Sequence, residues 1–444
     1  MAVVFGPRFR HVAKDMVRST IELGSVLFFF VLCAWYWRVD EHAVYLALAG
    51  PIALLGMARV SQFGLNRSGW ASSLTLVAFL FWILLSTSWS GSPRLTLTYA
   101  VLTVIIGLTS LIIGFAFSLK TVMLGIGLGT LLLVFHASAI PAANDDWTRP
   151  LGVLNILEGT LVTGLFTNPQ STTFLIGAAV VSLLWVPLNT MKARLLSISA
   201  VVFLLVLAEM KIVLTMWFAT FGALVVAIMV LHIRHMVPRH RLAGSVSYAS
   251  AVILAGVAFW FFREPVLKVF DEGPDLSGRT ILWDWYFEAF LWNPIIGIGW
   301  GRTYGWPIEP GNVYPTGQYF HAHNGFIDIG LALGSVGVLL MLVTLILLFV
   351  NGARIAIQRQ YSAGYIFFPA MVTYLTLNDL MISTLPSFIG LFLVGVMAGS
   401  LLRSPDYRVK IFTRVNGRPN GLDWLFRSRI RWRKSDSRNE LSRG

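Results

Sequence analysis

Residues 98–118 read TYAVLTVIIGLTSLIIGFAFS, a run of apolar and small polar side chains without a charge. A helix rises 1.5 Å per residue, so such a run crosses a hydrocarbon core of about 30 Å. Residues 212–233, IVLTMWFATFGALVVAIMVLHI, repeat the pattern. Lipid offers the backbone no hydrogen-bond partners, which leaves helices and closed barrels as spanning structures. These runs lack the alternation of a barrel strand, so they predict helices. Composition agrees: 56% of the 444 residues are hydrophobic and 12% are charged, about half the charge of an average soluble domain.

Working outward from these two runs, about twelve spans follow, at 20–37, 43–60, 70–89, 98–118, 120–140, 171–188, 195–209, 212–233, 245–263, 324–350, 364–384 and 386–402. The expected fold is an all-α integral membrane bundle with a large helical outer loop. Arg8, Arg10, Lys14 and Arg18 precede the first run as in a secretory signal. That run ends in Trp35-Tyr36-Trp37-Arg38 without a small-residue cleavage site, so it reads as an uncleaved first span. The single cysteine, Cys33, excludes an intrachain disulfide and reads as a packing residue. No internal repeat of the kind that builds paired transporter halves is visible.

With the N-terminus cytoplasmic, 26 of the 34 Lys and Arg fall on inner segments and 8 on outer ones. This bias is the positive-inside pattern and predicts an inner (cytoplasmic) membrane protein with both termini cytoplasmic. The expected organisation is nine helices over 1–263, a periplasmic loop over 264–323, three helices over 324–402 and a basic cytoplasmic tail over 403–444. The tail carries twelve Lys and Arg interleaved with Trp424, Phe426 and Trp432. Beside a last span, that pattern suits anionic lipid headgroups better than nucleic acid, despite the net charge of +13.

Ionisable residues in or beside spans are costly and point to function. Glu209, Lys211, Asp328, Asp379, Arg279, Arg302 and His323 all fall near the extracytoplasmic edge, with no comparable set at the midplane. An ion-coupled carrier needs midplane groups, so the distribution favours an outward-facing site. The outer loop also predicts an interfacial helix around Ile281–Glu288, from the helical spacing of its aromatics.

Three stretches of this region form an ordered set: Ser277-Gly278-Arg279-Thr280-Ile281-Leu282-Trp283, then Asn293-Pro294-Ile295-Ile296-Gly297-Ile298-Gly299-Trp300-Gly301, then His321-Ala322-His323-Asn324 leading to Asp328. Upstream stand Trp89-Ser90-Gly91-Ser92-Pro93 and Gly164-Leu165-Phe166-Thr167-Asn168-Pro169-Gln170; downstream, Leu333-Gly334-Ser335-Val336-Gly337. Together they resemble the signature of the O-antigen ligase and polymerase superfamily over roughly residues 85–400, with a lean toward its exopolysaccharide-polymerase branch. The sequence departs from that signature at Met210-Lys211, where many relatives have Ser-Arg, and at Gln170, where asparagine is frequent. Lysine keeps the charge at 211 but loses the bidentate fork.

The resemblance implies a membrane glycosyltransferase of GT-C-like type, metal-independent and inverting, without a cofactor. Its donor would be an undecaprenyl-pyrophosphate-linked oligosaccharide, and its acceptor a sugar hydroxyl on a lipid-linked glycan or on lipid A-core. Chain-length regulators and export proteins are the implied protein partners, and nucleic acid is not one. The residues suit that chemistry. Arg279 and Lys211 can stabilise charge on a departing pyrophosphate, and a neutral imidazole such as His323 can accept the acceptor's proton. Arg302, Asn324, Asp328 and Asn168 are the expected substrate contacts.

Other readings of the same residues remain open. His321 and His323 can be taken as a metal pair lacking a firm third ligand. Gly297-x-Gly299-x-Gly301 reads as a tight turn that can bring backbone N–H groups toward the site. Trp283, Trp285, Trp292, Trp300 and Trp306 can stack on sugars or anchor at the interface. From another class, the chain could be a non-catalytic exporter or flippase.

Overall fold

A computed structural model describes residues 7–35, 50–54, 66–139, 169–188, 190–209, 214–269, 278–301 and 322–403. All of them belong to the unit Met1–Arg403; the second unit, Ser404–Gly444, holds the expected tail and lies outside the described residues. So do most of the predicted second span and residues 141–168 of the first outer segment.

The described residues are helical. In chain order the helices are α1 Pro7–Trp35, α2 Arg67–Leu85, α3 Pro93–Ala116, α4 Leu119–Ala139, α5 Pro169–Trp185 and α6 Met191–Glu209. There follow α7 Leu214–His235, α8 Arg241–Val269, α9 Arg279–Trp292, α10 Gly325–Ala356, α11 Phe367–Asp379 and α12 Phe388–Leu402. Five of the helical stretches are long and apolar enough to cross a membrane: Gly69–Ser88, Pro93–Ala116, Thr215–His235, Pro238–Ala258 and Gly325–Ala356. The fold is that of an all-α integral membrane protein.

Helix starts follow local chemistry. Proline opens α3 at Pro93, where its missing N–H costs nothing. Asn324 caps α10, and Ser387 caps α12 by accepting from the Gly390 N–H at 3.2 Å. Between helices in lipid there is no hydrophobic drive, so association rests on close packing of small residues. Helices α3 and α12 show this directly. A side chain at Gly114 would meet the Val396 backbone, and one at Gly399 would meet the Leu111 carbonyl.

The helix ends sort into two groups. One end of the bundle holds the contact of Asn66 N–H with the Leu402 carbonyl (2.7 Å), that of Arg403 with the Phe117 carbonyl (3.1 Å), and the meeting of α7 and α10 through Arg234. The opposite end holds residues 86–93, 294–301, 322–328 and 380–387, so the described motif residues near the starts of α3, α9 and α10 share one end.

Helix α10 departs from the uniform span expected over 324–350. It runs to Ala356 and breaks at Gly334, whose φ of 69° lies in the left-handed region. The break frees three carbonyls of the preceding turn. Ile298 N–H donates to the Leu331 carbonyl (3.0 Å) and Gly299 N–H to Ala332 (2.9 Å). The Trp82 indole N–H donates to Leu333 (3.0 Å). In return, Ser335 N–H donates to the Pro294 carbonyl (2.8 Å) and Val336 N–H to Ile295 (3.3 Å). The glycine turn is thus interlocked, backbone to backbone, with the broken helix.

Glycine is required on both sides of this contact. A Cβ at Gly334 would lie 2.1 Å from the Ile295 carbonyl oxygen, and one at Gly297 2.4 Å from the Ala332 backbone. Gly334→Ala should therefore carry about 1–3 kcal/mol of backbone strain plus steric overlap. Thermal unfolding in detergent should show a much lower midpoint or no folded protein. Gly24→Ala, which meets nothing within 4 Å, should match the parent or gain up to about 1 kcal/mol of helix propensity.

Candidate functional site

The loop helix α9 begins at Arg279, two residues earlier than the aromatic spacing suggested, just after Gly278 in a left-handed conformation (φ 83°). Its apolar face, Leu282 and Tyr286, packs with Ile298, Ala322 and Leu331 in a cluster separate from the main core. The glycine turn, α9 and the first turns of α10 are thereby held as one body. Burial and the nearby Asp328 carboxyl push the Tyr286 phenol above its usual range.

His323 sits immediately before α10 with φ 51°, the only non-glycine residue at positive φ among the described residues. A left-handed histidine costs about 1–2 kcal/mol and persists only where its neighbours dictate it. The peptide before it is gripped on both sides. Ala322 N–H donates to Asp328 Oδ1 (2.8 Å), and the Trp283 indole N–H donates to the Ala322 carbonyl (2.9 Å). The residue after it is fixed as well. Asn324 Oδ1 accepts from the N–H groups of Phe326 (3.1 Å) and Ile327 (3.2 Å), while its Nδ2 donates to the Leu380 carbonyl (3.1 Å).

Trp283 links Arg279 to His323. It stands four residues after Arg279, just over one helical turn or about 6 Å along α9, and its indole holds the residue next to His323. The spacing from SGR to Trp therefore has a geometric meaning. Sequence reasoning offered Trp283 as a sugar platform or an interfacial anchor; the structure uses its N–H to place the His323 loop.

Two buried carboxyls support this frame from below. Asp328 is 5% exposed and also accepts from the Ser383 hydroxyl. Asp379 is fully buried; its Oδ1 accepts from the N–H groups of Thr384 and Leu385, both at 2.7 Å, and from the Thr384 hydroxyl at 3.0 Å. A side chain on Gly325 would collide with the Asp379 carboxyl at 2.1 Å. Asp379 thus packs against the start of α10 and orders the turn after α11. That turn begins at Leu380, so α11 ends earlier than the expected span over 364–384.

The structure redistributes several expected roles. Asp328 and Asn324 were expected to touch substrate; their described hydrogen bonds all go to the protein's own backbone and to Ser383. Four amides of the glycine turn are already committed within the protein. The N–H groups of Gly297, Ile298, Gly299 and Trp300 go to Asn293, Leu331, Ala332 and the Ser86 hydroxyl. Trp300 is not an interfacial anchor. It is 5% exposed, packs edge-on to Phe79 at 6.2 Å, and donates to the Thr103 hydroxyl at 2.8 Å. Trp89 donates to the Ile296 carbonyl at 3.1 Å, so the Trp89–Pro93 element buttresses the same turn. Of the site candidates, Lys211, Arg302 and Asn168 lie outside the described residues, as does His321 of the alternative metal pair.

A bundle of apolar helices, with Arg279 and His323 both at one end, defines a multi-pass membrane protein. Residues 212–342 match the family model described as O-antigen ligase. The matched stretch runs from the start of α7 through α9 and the glycine turn past the break in α10. No curated protein matches the chain.

Removing the Asp328 carboxyl should disturb the frame more than removing its serine partner. Asp328→Ala leaves the buried Ala322 N–H without its acceptor, which costs about 1–3 kcal/mol. Ser383→Ala removes one hydroxyl from a partly buried site and should cost about 0.5–1.5 kcal/mol. Chemical or thermal unfolding of the two purified variants would check the order.

Proposed function

We propose that the chain is a glycosyltransferase that passes a glycan from an undecaprenyl-pyrophosphate carrier to a sugar hydroxyl, at the end of the bundle where its motifs meet. The observation that carries this reading is the Trp283–Ala322 hydrogen bond, which ties the turn after Arg279 to the loop of His323. The family description supports transfer of O-antigen-type glycans.

In this mechanism the acceptor oxygen attacks the anomeric carbon from the face opposite the pyrophosphate. The carbon–oxygen bond to the pyrophosphate breaks with inversion, and the acceptor's proton passes to the His323 imidazole. Arg279 meets the charge that develops on the departing pyrophosphate, aided by Lys211, with Arg302 and Asn168 as further contacts to donor or acceptor. Asn324 and Asp328 act as positioning residues. The left-handed backbone of His323, fixed on both sides, presents its ring without reorganisation at the moment of transfer.

The site then faces the periplasm through the loop 264–323, with the tail 403–444 at the cytoplasmic surface, as the basic-residue bias requires. Polymerisation of exopolysaccharide or O-antigen repeats is the first reading of the product, and chain-length regulators and export proteins are its natural partners. Ligation onto lipid A-core is the second reading, favoured by the family description itself.

The test is product length from purified lipid-linked donor. Arg279→Ala should lower turnover about 100- to 1000-fold, the usual loss for one transition-state contact, and Arg279→Lys should retain part of it. His323→Ala should abolish transfer at normal protein levels, and chelator should change nothing in the parent. An active His323→Ala enzyme, or a parent silenced by chelator, would contradict the reading.

A further inference from the structure

At the end of the bundle remote from the motifs, α7 and α10 finish side by side. Arg234 is 9% exposed, and its guanidinium donates to the carbonyls of Ala356, Gln358 (3.2 Å), Arg359 (3.3 Å) and Tyr361 (2.6 Å), closing the end of α10. Arg359 reciprocates, donating to the carbonyls of Arg234 (3.1 Å) and His235 (2.6 Å) at the end of α7. Arg241, at the start of α8, also reaches the Arg234 carbonyl, at 3.4 Å. Cations satisfy helix C-termini well, yet the guanidinium groups of Arg241 and Arg359 now share one carbonyl beside the charge of Arg234.

Nothing in the neighbouring sequence balances that charge. Residues 210–263 and 329–378 contain no Asp or Glu. Among the described residues the only ion pair is Arg18–Glu22, far along the chain. Arg241 Nε is buried and makes no hydrogen bond among the described residues. Arg239 is exposed beside it and donates to His240 Nε2 at 3.0 Å. Exposed apolar side chains flank these groups, Val237 at 55% and Leu242 at 77%. A compact set of arginines with an unused donor, rimmed by exposed aliphatics, matches an anion that carries an apolar body.

We propose that Arg239, Arg241 and Arg359 form a binding site for the phosphate of an anionic membrane lipid, with Val237 and Leu242 against its acyl chains. The guanidinium fork suits phosphate oxygens, and a lipid anion is concentrated where these helix ends meet the headgroups. The bound phosphate would neutralise the crowding around Arg234 and so fasten α7 to α10. The proposed site uses no residue of the basic tail and does not depend on the catalytic reading.

The full-length protein, delipidated in detergent, would be tested by native mass spectrometry and thermal unfolding with phosphatidylglycerol, phosphatidylcholine or inorganic phosphate. Phosphatidylglycerol should be retained and should raise the unfolding midpoint by several degrees; the other two should not. The double variant R239Q/R241Q leaves the Arg234–Arg359 caps in place and should bind phosphatidylglycerol at least tenfold more weakly. The tail is the same in both proteins, so a difference between them reports the arginine site. Should the double variant fail to fold, R239Q alone, at an exposed position, should still weaken binding several-fold. Equal phosphatidylglycerol binding by variant and parent would overturn the proposal. So would stabilisation by inorganic phosphate equal to that by the lipid, which would indicate a small-anion site.

Discussion

Helix α10 breaks at Gly334 in an apolar stretch, and the carbonyls of Leu331, Ala332 and Leu333 must then find donors that lipid cannot supply. Each left unsatisfied would cost about 1–3 kcal/mol. The amides of Ile298 and Gly299 and the indole of Trp82 meet that demand. The exchange works only because both chains approach at backbone distance, and any Cβ at Gly297 or Gly334 would prevent it. A glycine-rich turn in the outer loop and a glycine inside a membrane helix are therefore two halves of one joint.

The rest of the candidate site hangs from this joint. It fixes the turn from Pro294 to Gly301 against α10, and Ile298 and Leu331 then form the floor on which α9 packs through Leu282 and Tyr286. With α9 seated, Trp283, one turn along the helix from Arg279, reaches Ala322, the residue that precedes His323. From the α11 side, Asp379, Asp328 and Ser383 close the same loop. The cost of a left-handed histidine is borne by hydrogen bonds on its two neighbours. Strain of that kind, held by a rigid surround, belongs to sites that must present a group in one orientation.

Much of this was legible from residue types. Uncharged runs of about twenty residues mark the helices because lipid leaves the backbone no alternative. Asp328, Asp379, Arg279 and His323 stood out because charge near a span is costly. What those residues do was less legible. Asn324 beside His323 suggested a contact to substrate, but an asparagine before a helical run is first of all a cap, and its described hydrogen bonds make it one here. Trp300 carried the composition of an interfacial anchor, and only the packing of α2 and α3 shows it buried. Sequence spacing gave no sign that the turn's amides are consumed by α10, since the broken helix and the turn are more than thirty residues apart. Ser383 gave no signal at all, because a serine in a short turn has many uses.

The central proposal is a division of labour within one frame: Arg279 would hold the pyrophosphate, and His323 would take the proton. Its most direct test is equilibrium binding of a purified lipid-pyrophosphate-linked glycan to the parent, Arg279→Ala and His323→Ala proteins in the same detergent. The account predicts that His323→Ala binds donor about as tightly as the parent, whereas Arg279→Ala loses about tenfold or more, in keeping with one charge-assisted hydrogen bond. Loss of donor binding in His323→Ala, or unchanged binding in Arg279→Ala, would contradict it.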